Sequence, residues 1–320
     1  MSIIEIVDIR KSFKSKEKGK KKLVEAVKGI TLSIDEGEVF GFLGPNGAGK
    51  TTTQRMLCTL LPIDSGVATI NGFDVKKKPA KVRQIIGYVG QVGGTDNFAT
   101  GMENLVLQGR LYGMKKEEIL ANAAELIELL DLKEIINRLA KTYSGGQKRR
   151  LEIAMGIIHK PKVLFLDEPT TGLDPQNRAN LWQHIKDLKQ NGMTILLTTH
   201  YLEEANQLCD RIAIIDYGEI VAIGTPKELK KEIAGESIRI ELDVSDDPNV
   251  VAEIFKEKSW VKEVRTDLQY VYLIVAKGST ALMQVFEILK EKNITAKGIS
   301  VAKPTLDDVF LKKTGRSLRD

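Results

Sequence analysis

Glu38-Val-Phe-Gly-Phe-Leu43 runs directly into Gly44-Pro-Asn-Gly-Ala-Gly-Lys-Thr51. The first six residues read as a buried strand. The eight that follow satisfy G-x-x-x-x-G-K-[ST] in the strand, loop, helix context the motif requires, with the helix obliged to stop before Pro62. The glycines let the backbone curl so that its N–H groups face inward around a phosphate, and the helix N-terminus adds partial positive charge. Gly44, Pro45, Asn46, Gly47, Ala48, Gly49, Lys50, Thr51 and Thr52 are therefore candidate nucleotide-binding residues. Lys50 is placed to reach the β- and γ-phosphates, and Thr51 to offer its hydroxyl to Mg²⁺.

Downstream, Val163-Leu-Phe-Leu-Asp167-Glu168-Pro169 is an apolar strand that ends in two carboxylates and is broken by proline. Neighbouring side chains on a strand point to opposite faces, so the two carboxylates divide their work. Asp167 suits the Mg²⁺ shell, and Glu168 suits the attacking water as base or orienting group. Phosphate loops serve kinases, GTPases, helicases and transporters alike, so the fold does not choose among them. Tyr143-Ser-Gly-Gly-Gln147 does. Ser144 and Gln147 fit a capping box at the start of a helix carrying Leu151, Ala154, Met155 and Ile158, and this segment shortly precedes the acidic strand.

At this point the chain resembles the ATP-binding cassette family, whose members carry Walker A, a Q-loop, an LSGGQ-type signature, Walker B, a D-loop and a switch histidine. Gly44 to Thr51 matches Walker A, and Gln91, after the strand IIGYV, matches the Q-loop. Ser144, Gly145, Gly146 and Gln147 match the signature, Val163 to Asp167 Walker B, and Thr171-Gly-Leu-Asp174 the D-loop, while His200 ends the strand MTILLTT. The resemblance implies that Gln91 joins Thr51 and Asp167 around Mg²⁺, and that Gln91 and His200 assist Glu168 in catalysis. It also implies that Ser144 to Gln147 and Asp174 meet the ATP held by a second cassette. Tyr143 stands where leucine is usual. Members stack an aromatic ring on adenine, and Phe13 is the better candidate because Phe40 lies in the core strand. The ending Lys303-Pro-Thr-Leu-Asp-Asp-Val-Phe-Leu311 with Thr314-Gly315 resembles the daunorubicin-resistance-type export subfamily, whose cassettes pair with a separate membrane subunit.

The remaining sequence agrees with that picture. A hydrophobic fraction of 42% with 28% charged residues fills a core and excludes disorder, collagen and coiled coil. No window approaches the roughly 20 apolar residues that span a bilayer. The start MSIIEIVDIRKSF lacks a secretion signal, so a cytoplasmic protein, peripheral on the membrane's inner face, is expected. Cys58 and Cys209 sit in helical stretches without metal spacing and read as buried thiols. Lys14, Lys16, Lys18, Lys20, Lys21 and Lys22 surround Gly19 and read as a solvated loop between two strands. No aromatic residues alternate with them, which argues against nucleic acid as a partner.

The expected fold is α/β around a mostly parallel sheet: a P-loop NTPase nucleotide-binding domain of the cassette type over residues 1–235, with a helical subdomain at about 100–160. Beyond Gly235 the order βαββαβ predicts a small α+β ferredoxin-like domain over 236–320, closed by a helix opening at Thr305 and ending at Gly315. The expected activity is Mg²⁺-dependent ATP hydrolysis by a homodimer or heterodimer of cassettes beneath a permease. The rival is a soluble cassette ATPase acting on ribosomes or DNA. It is disfavoured because only a short helical region separates Lys50 from Ser144 and the chain holds one cassette.

Overall fold

The computed structural model describes residues 1–17, 20–233 and 235–316, with side chains left aside at 15–17 and 20–22. Internal contacts divide the chain into two compact units, Met1–Pro226 and a second from Lys227 onward.

The first unit opens with β1 (Ser2–Glu17) and β2 (Lys20–Asp35), then β3 (Val39–Leu43), α1 (Lys50–Leu57), β4 (Ser65–Ile70), β5 (Phe73–Asp74), α2 (Pro79–Ile85) and β6 (Ile86–Val89). Helices α3 (Gly101–Leu111), α4 (Lys116–Leu129) and α5 (Gly145–Ile157) form the helical region. They are followed by β7 (Val163–Asp167), α6 (Pro175–Gln190), β8 (Thr194–Thr199), α7 (Leu202–Leu208), β9 (Arg211–Asp216) and β10 (Glu219–Gly224); α8 (Pro226–Lys231) then opens the second unit.

Six strands form one sheet in the order β10-β9-β3-β8-β7-β6, parallel except for β10. Every residue of β3, β7 and β8 is buried, as a parallel sheet covered on both faces requires. The sequence pattern predicts one mostly parallel sheet for this unit. A second, antiparallel sheet, β2-β1-β4-β5, stands beside it. In β1, Ile4, Ile6 and Ile9 are buried while Val7 is 57% exposed, so this sheet keeps one wet face. One core joins it to the parallel sheet through Ile4, Ile34, Ile70, Phe40, Phe165 and, from α1, Met56.

The lysine-rich stretch differs from expectation. Pairing of β1 with β2 continues from Lys14↔Leu23 to Glu17↔Lys20, whereas pairing of β1 with β4 ends at Arg10↔Ser65. The run is thus mostly a two-stranded ribbon rather than a loop. Lys18 and Gly19 lie outside the described residues.

The second unit contains β11 (Glu236–Leu242), α9 (Pro248–Lys256), β12 (Val261–Asp267), β13 (Tyr270–Val275), α10 (Gly278–Glu291), β14 (Ala296–Ala302) and α11 (Leu306–Thr314). Its antiparallel sheet has the order β12-β13-β11-β14, the split βαββαβ arrangement. Ile238, Ile240, Val271 and Leu273 from the sheet meet Val251 and Phe255 of α9 and Val285 and Leu289 of α10 in a separate core. Thr305 caps α11 in a reciprocal box with Asp308, and Gly315 closes it in the left-handed conformation, φ 77°.

The division falls at Pro226, ahead of the Gly235 read from the sequence. In the second unit Lys312 of α11 donates to the Glu232 carbonyl, and Lys313 pairs with the Glu232 carboxylate at 2.7 Å, so α8 and the segment after it go with that unit. Cys58 and Cys209 are buried free thiols, and burial pushes both well above the ordinary thiol range.

Candidate nucleotide-binding site

In the parallel sheet β3, β8, β7 and β6 are successive neighbours, and the register sets Leu43 beside Thr199 and Asp167 beside Thr198. Their carboxyl ends share one edge. The phosphate loop, His200, Glu168 and Gln91 leave the strands there in that spatial order, although the chain visits them in another. Ligands of open α/β sheets bind outside this edge.

A cavity of about 310 Å³ lies at the edge, lined by Asn46 to Thr52, Gln91, Glu168 and, from β2, Ala26. Gly49 has φ 105°, and a Cβ on it would come within 2.5 Å of the Ala26 carbonyl, so the loop needs glycine for both conformation and contact. Lys50 is 4% exposed and donates to the carbonyls of Gly44 at 2.7 Å and Pro45 at 3.0 Å. Burial pushes its pKa down, while the carboxylates of Glu168 and Asp167 oppose that shift.

Asp167 is fully buried. Its Oδ1 accepts from the Thr51 hydroxyl at 2.8 Å and the Thr198 hydroxyl at 2.7 Å, and its Oδ2 is buried without a partner. An unmatched carboxylate oxygen beside a helix-borne hydroxyl suits a cation or its bound water. Among the described residues no group of three or more His, Cys, Asp and Glu could hold a metal. A divalent ion here would therefore draw on one carboxylate, a hydroxyl and the nucleotide, the donor set Mg²⁺ prefers.

Glu168 is 8% exposed, and its backbone is held at φ 45°, an uncommon conformation for a residue with a Cβ. Its N–H donates to the Thr198 carbonyl at 3.1 Å and approaches the Thr198 hydroxyl at 3.0 Å. This bend ends the alternation of β7 and frees the carboxylate for its neighbours. Oε2 accepts from Gln91 at 3.3 Å and from the Thr171 hydroxyl at 3.2 Å, while Oε1 lies 3.7 Å from Lys50 Nζ and 3.3 Å from His200 Nδ1. The His200 contact is close but misaligned, since that nitrogen has no hydrogen-bond partner.

The other candidates lie apart from the cavity lining. Ser144 and Gln147 make the reciprocal capping box of α5, and both Ser144 and Gly145 are exposed. Tyr143 donates its hydroxyl to the Ile135 carbonyl, a bond leucine could not make. Asp174 caps α6 through the Asn177 N–H at 2.9 Å, and that bond holds its carboxyl below the usual range. Phe13 is 39% exposed and pairs with Val24, two residues from Ala26. Ala26 is the extra residue of a bulge between the pairs Lys11↔Val27 and Ser12↔Glu25. Sequence reasoning missed Ala26 and Thr198, and it matched Thr171 to the D-loop without giving it a role at Glu168. A Thr-Thr step before His200 was the one available signal.

Fold and site together define a nucleoside triphosphatase of the P-loop class. The profile of the ABC transporter family matches residues 27–171, and that of the ATP-binding protein DrrA1-3-like C-terminal domain matches 224–314. The chain belongs to the ABC transporter family, as an ATP-binding ATPase subunit.

It is 42% identical to the daunorubicin resistance ATP-binding protein DrrA2 of Streptomyces coeruleorubidus, over 91% of this chain and 90% of that one. It is 40% identical to the linearmycin resistance ATP-binding protein LnrL of Bacillus subtilis, over 94% and 96%. A Nod factor export ATP-binding protein I of Burkholderia orbicola is 37% identical, over 92% and 93%. Among solved structures, a dimeric post-hydrolysis ATP-binding cassette bound to ADP and Pi is similar with a TM-score of 0.62 and 26% identity, over 69% of this chain and 98% of that one.

Proposed function

We propose that this subunit powers an exporter, two cassettes closing on ATP beneath a separate membrane permease. The observation that carries the reading is the Glu168 carboxylate, held at the strand edge between Lys50, Gln91, Thr171 and His200. Backbone N–H groups of the loop and Lys50 bind the phosphates. Glu168 orients the attacking water and takes its proton, and His200 and Gln91 fix the carboxylate. Mg²⁺, held by Thr51, Asp167 and Gln91, would neutralise phosphate charge. Phe13 stacks on adenine. Ser144 to Gln147 and Asp174 lie outside the cavity of their own chain, so they are available to the nucleotide of a second cassette. Export is supported by the relatives named for drug resistance and Nod factor export. No helix among the described residues is long and apolar enough to cross a membrane, which fits a permease on another chain.

Glu168→Gln tests the reading. Turnover should fall on the order of 10²- to 10⁴-fold, the usual worth of a positioned base, with ATP affinity retained. Light scattering should show this variant as an ATP-dependent dimer. Wild-type turnover in the variant would remove Glu168 from the chemistry, and a mass that stays monomeric with ATP would remove the dimer.

A further inference from the structure

Arg149 lies in α5, early in the helix that Ser144 caps, and its guanidinium is buried. Nε donates to the Pro169 carbonyl at 2.9 Å and Nη2 to the Asp167 carbonyl at 3.1 Å. Nη1 donates to the Gly90 carbonyl at 2.7 Å and to Glu152 Oε2 at 3.0 Å. The carbonyls are not scattered. Asp167 and Pro169 flank Glu168, and Gly90 directly precedes Gln91.

Glu152 completes the joint. Its Oε1 is 3.5 Å from the Thr95 hydroxyl, and Gly93 packs so tightly on it that a Cβ there would sit 1.7 Å from Oε1. One buried ion pair thus touches α5, the loop carrying Gln91 and the turn carrying Glu168. The Glu168 backbone, at φ 45°, persists only if its surroundings hold it. Thr198 does so through the Glu168 N–H, and Arg149 through the carbonyls on either side.

We propose that Arg149, supported by Glu152, is a positioning residue that sets Glu168 and Gln91 according to the placement of the helix beginning at Ser144. A displacement of that helix reaches the water-activating carboxylate through a planar fork of fixed N–H directions. Lysine cannot replace it, because a single ammonium does not span three carbonyls in this spread. The inference rests on Glu168 activating water.

The test uses the full chain with Mg²⁺ and ATP. Arg149→Lys and Arg149→Gln should lower kcat on the order of 10²-fold, the cost of slight misplacement, while KM and the Kd for ATP stay at wild-type values. Adding Arg149→Gln to Glu168→Gln should cost little beyond Glu168→Gln alone in single-turnover measurements, since the arginine acts through that carboxylate. A merely structural role would lower Tm while leaving kcat unchanged well below the melt; unchanged kcat in the single variants, or losses that multiply in the double variant, would overturn the proposal. If the arginine variants do not fold, Gly93→Ala displaces Glu152 without altering Arg149. Its kcat should fall at unchanged Kd, and wild-type kcat would overturn the proposal equally. An inactive Glu168→Gln beside a fully active Arg149→Lys would sink the positioning role alone. Wild-type turnover in Glu168→Gln would instead sink the water-activating role of Glu168 on which it rests.

Discussion

Lys50 and His200 both approach Oε1 of Glu168, at 3.7 and 3.3 Å, yet their removal should have different consequences. Lys50 is buried in the loop itself and holds the Gly44 and Pro45 carbonyls, so it meets phosphate before any partner arrives. Lys50→Ala should weaken ATP binding about 10- to 100-fold, the worth of a charged hydrogen bond, in a calorimetric titration. His200→Ala should leave that titration unchanged and lower kcat on the order of 10²-fold. Equal losses of affinity would contradict the division. These residues were legible because phosphate chemistry demands fixed types at fixed local spacings. Thr198 and Ala26 were not, because each reaches the site by lying on a strand beside it, and strand register is absent from a linear pattern.

The helical region is tied to the parallel sheet at His159, whose ring stacks on Tyr112 at the end of α3, centroids 3.6 Å apart, and whose Nε2 lies 2.9 Å from the Ile86 carbonyl of β6. That carbonyl can only accept, so Nε2 carries the proton. Nδ1 is buried without a partner, and protonating it would strand a charge. Burial lowers the pKa of His159, and likewise of His184, whose Nδ1 faces the Leu129 carbonyl. The unfolded chain therefore binds these protons first. Stability should be full above the ordinary histidine value of about 6.5 and fall as pH drops below it toward the folded values. Thermal melts across that range check this, and His159→Phe, which keeps an aromatic stack and cannot titrate, should show a shallower slope. The elements of the second unit were legible from period two in β11 and period 3.6 in α9 and α10. The β1–β2 ribbon was not, because charge at successive positions erases the alternation that marks a strand.

The two units carry separate cores, and every residue lining the nucleotide cavity lies in the first. A chain ending at Pro226 should remain folded by circular dichroism and bind ATP with the affinity of the full chain. Lost binding would show that the first unit needs the second. Ending instead at Gly235 should give a less soluble product, since Leu229 and Ile233, buried in the full chain and part of the second unit, would lose the rest of that unit. Internal contacts divide the chain at Pro226 and the sequence pattern changes near Gly235; the two differ because Lys312 and Lys313 lie far along the chain from the carbonyl and carboxylate they hold. The buried cysteines carry a practical consequence at this scale. Cys58 and Cys209 are the only two in the sequence, and thiolates rather than thiols attack maleimides. A cysteine introduced at Phe98 or Leu268, 80% and 84% exposed, should therefore take a fluorescent dye alone, so paired labels can serve as a spectroscopic ruler in the otherwise native chain.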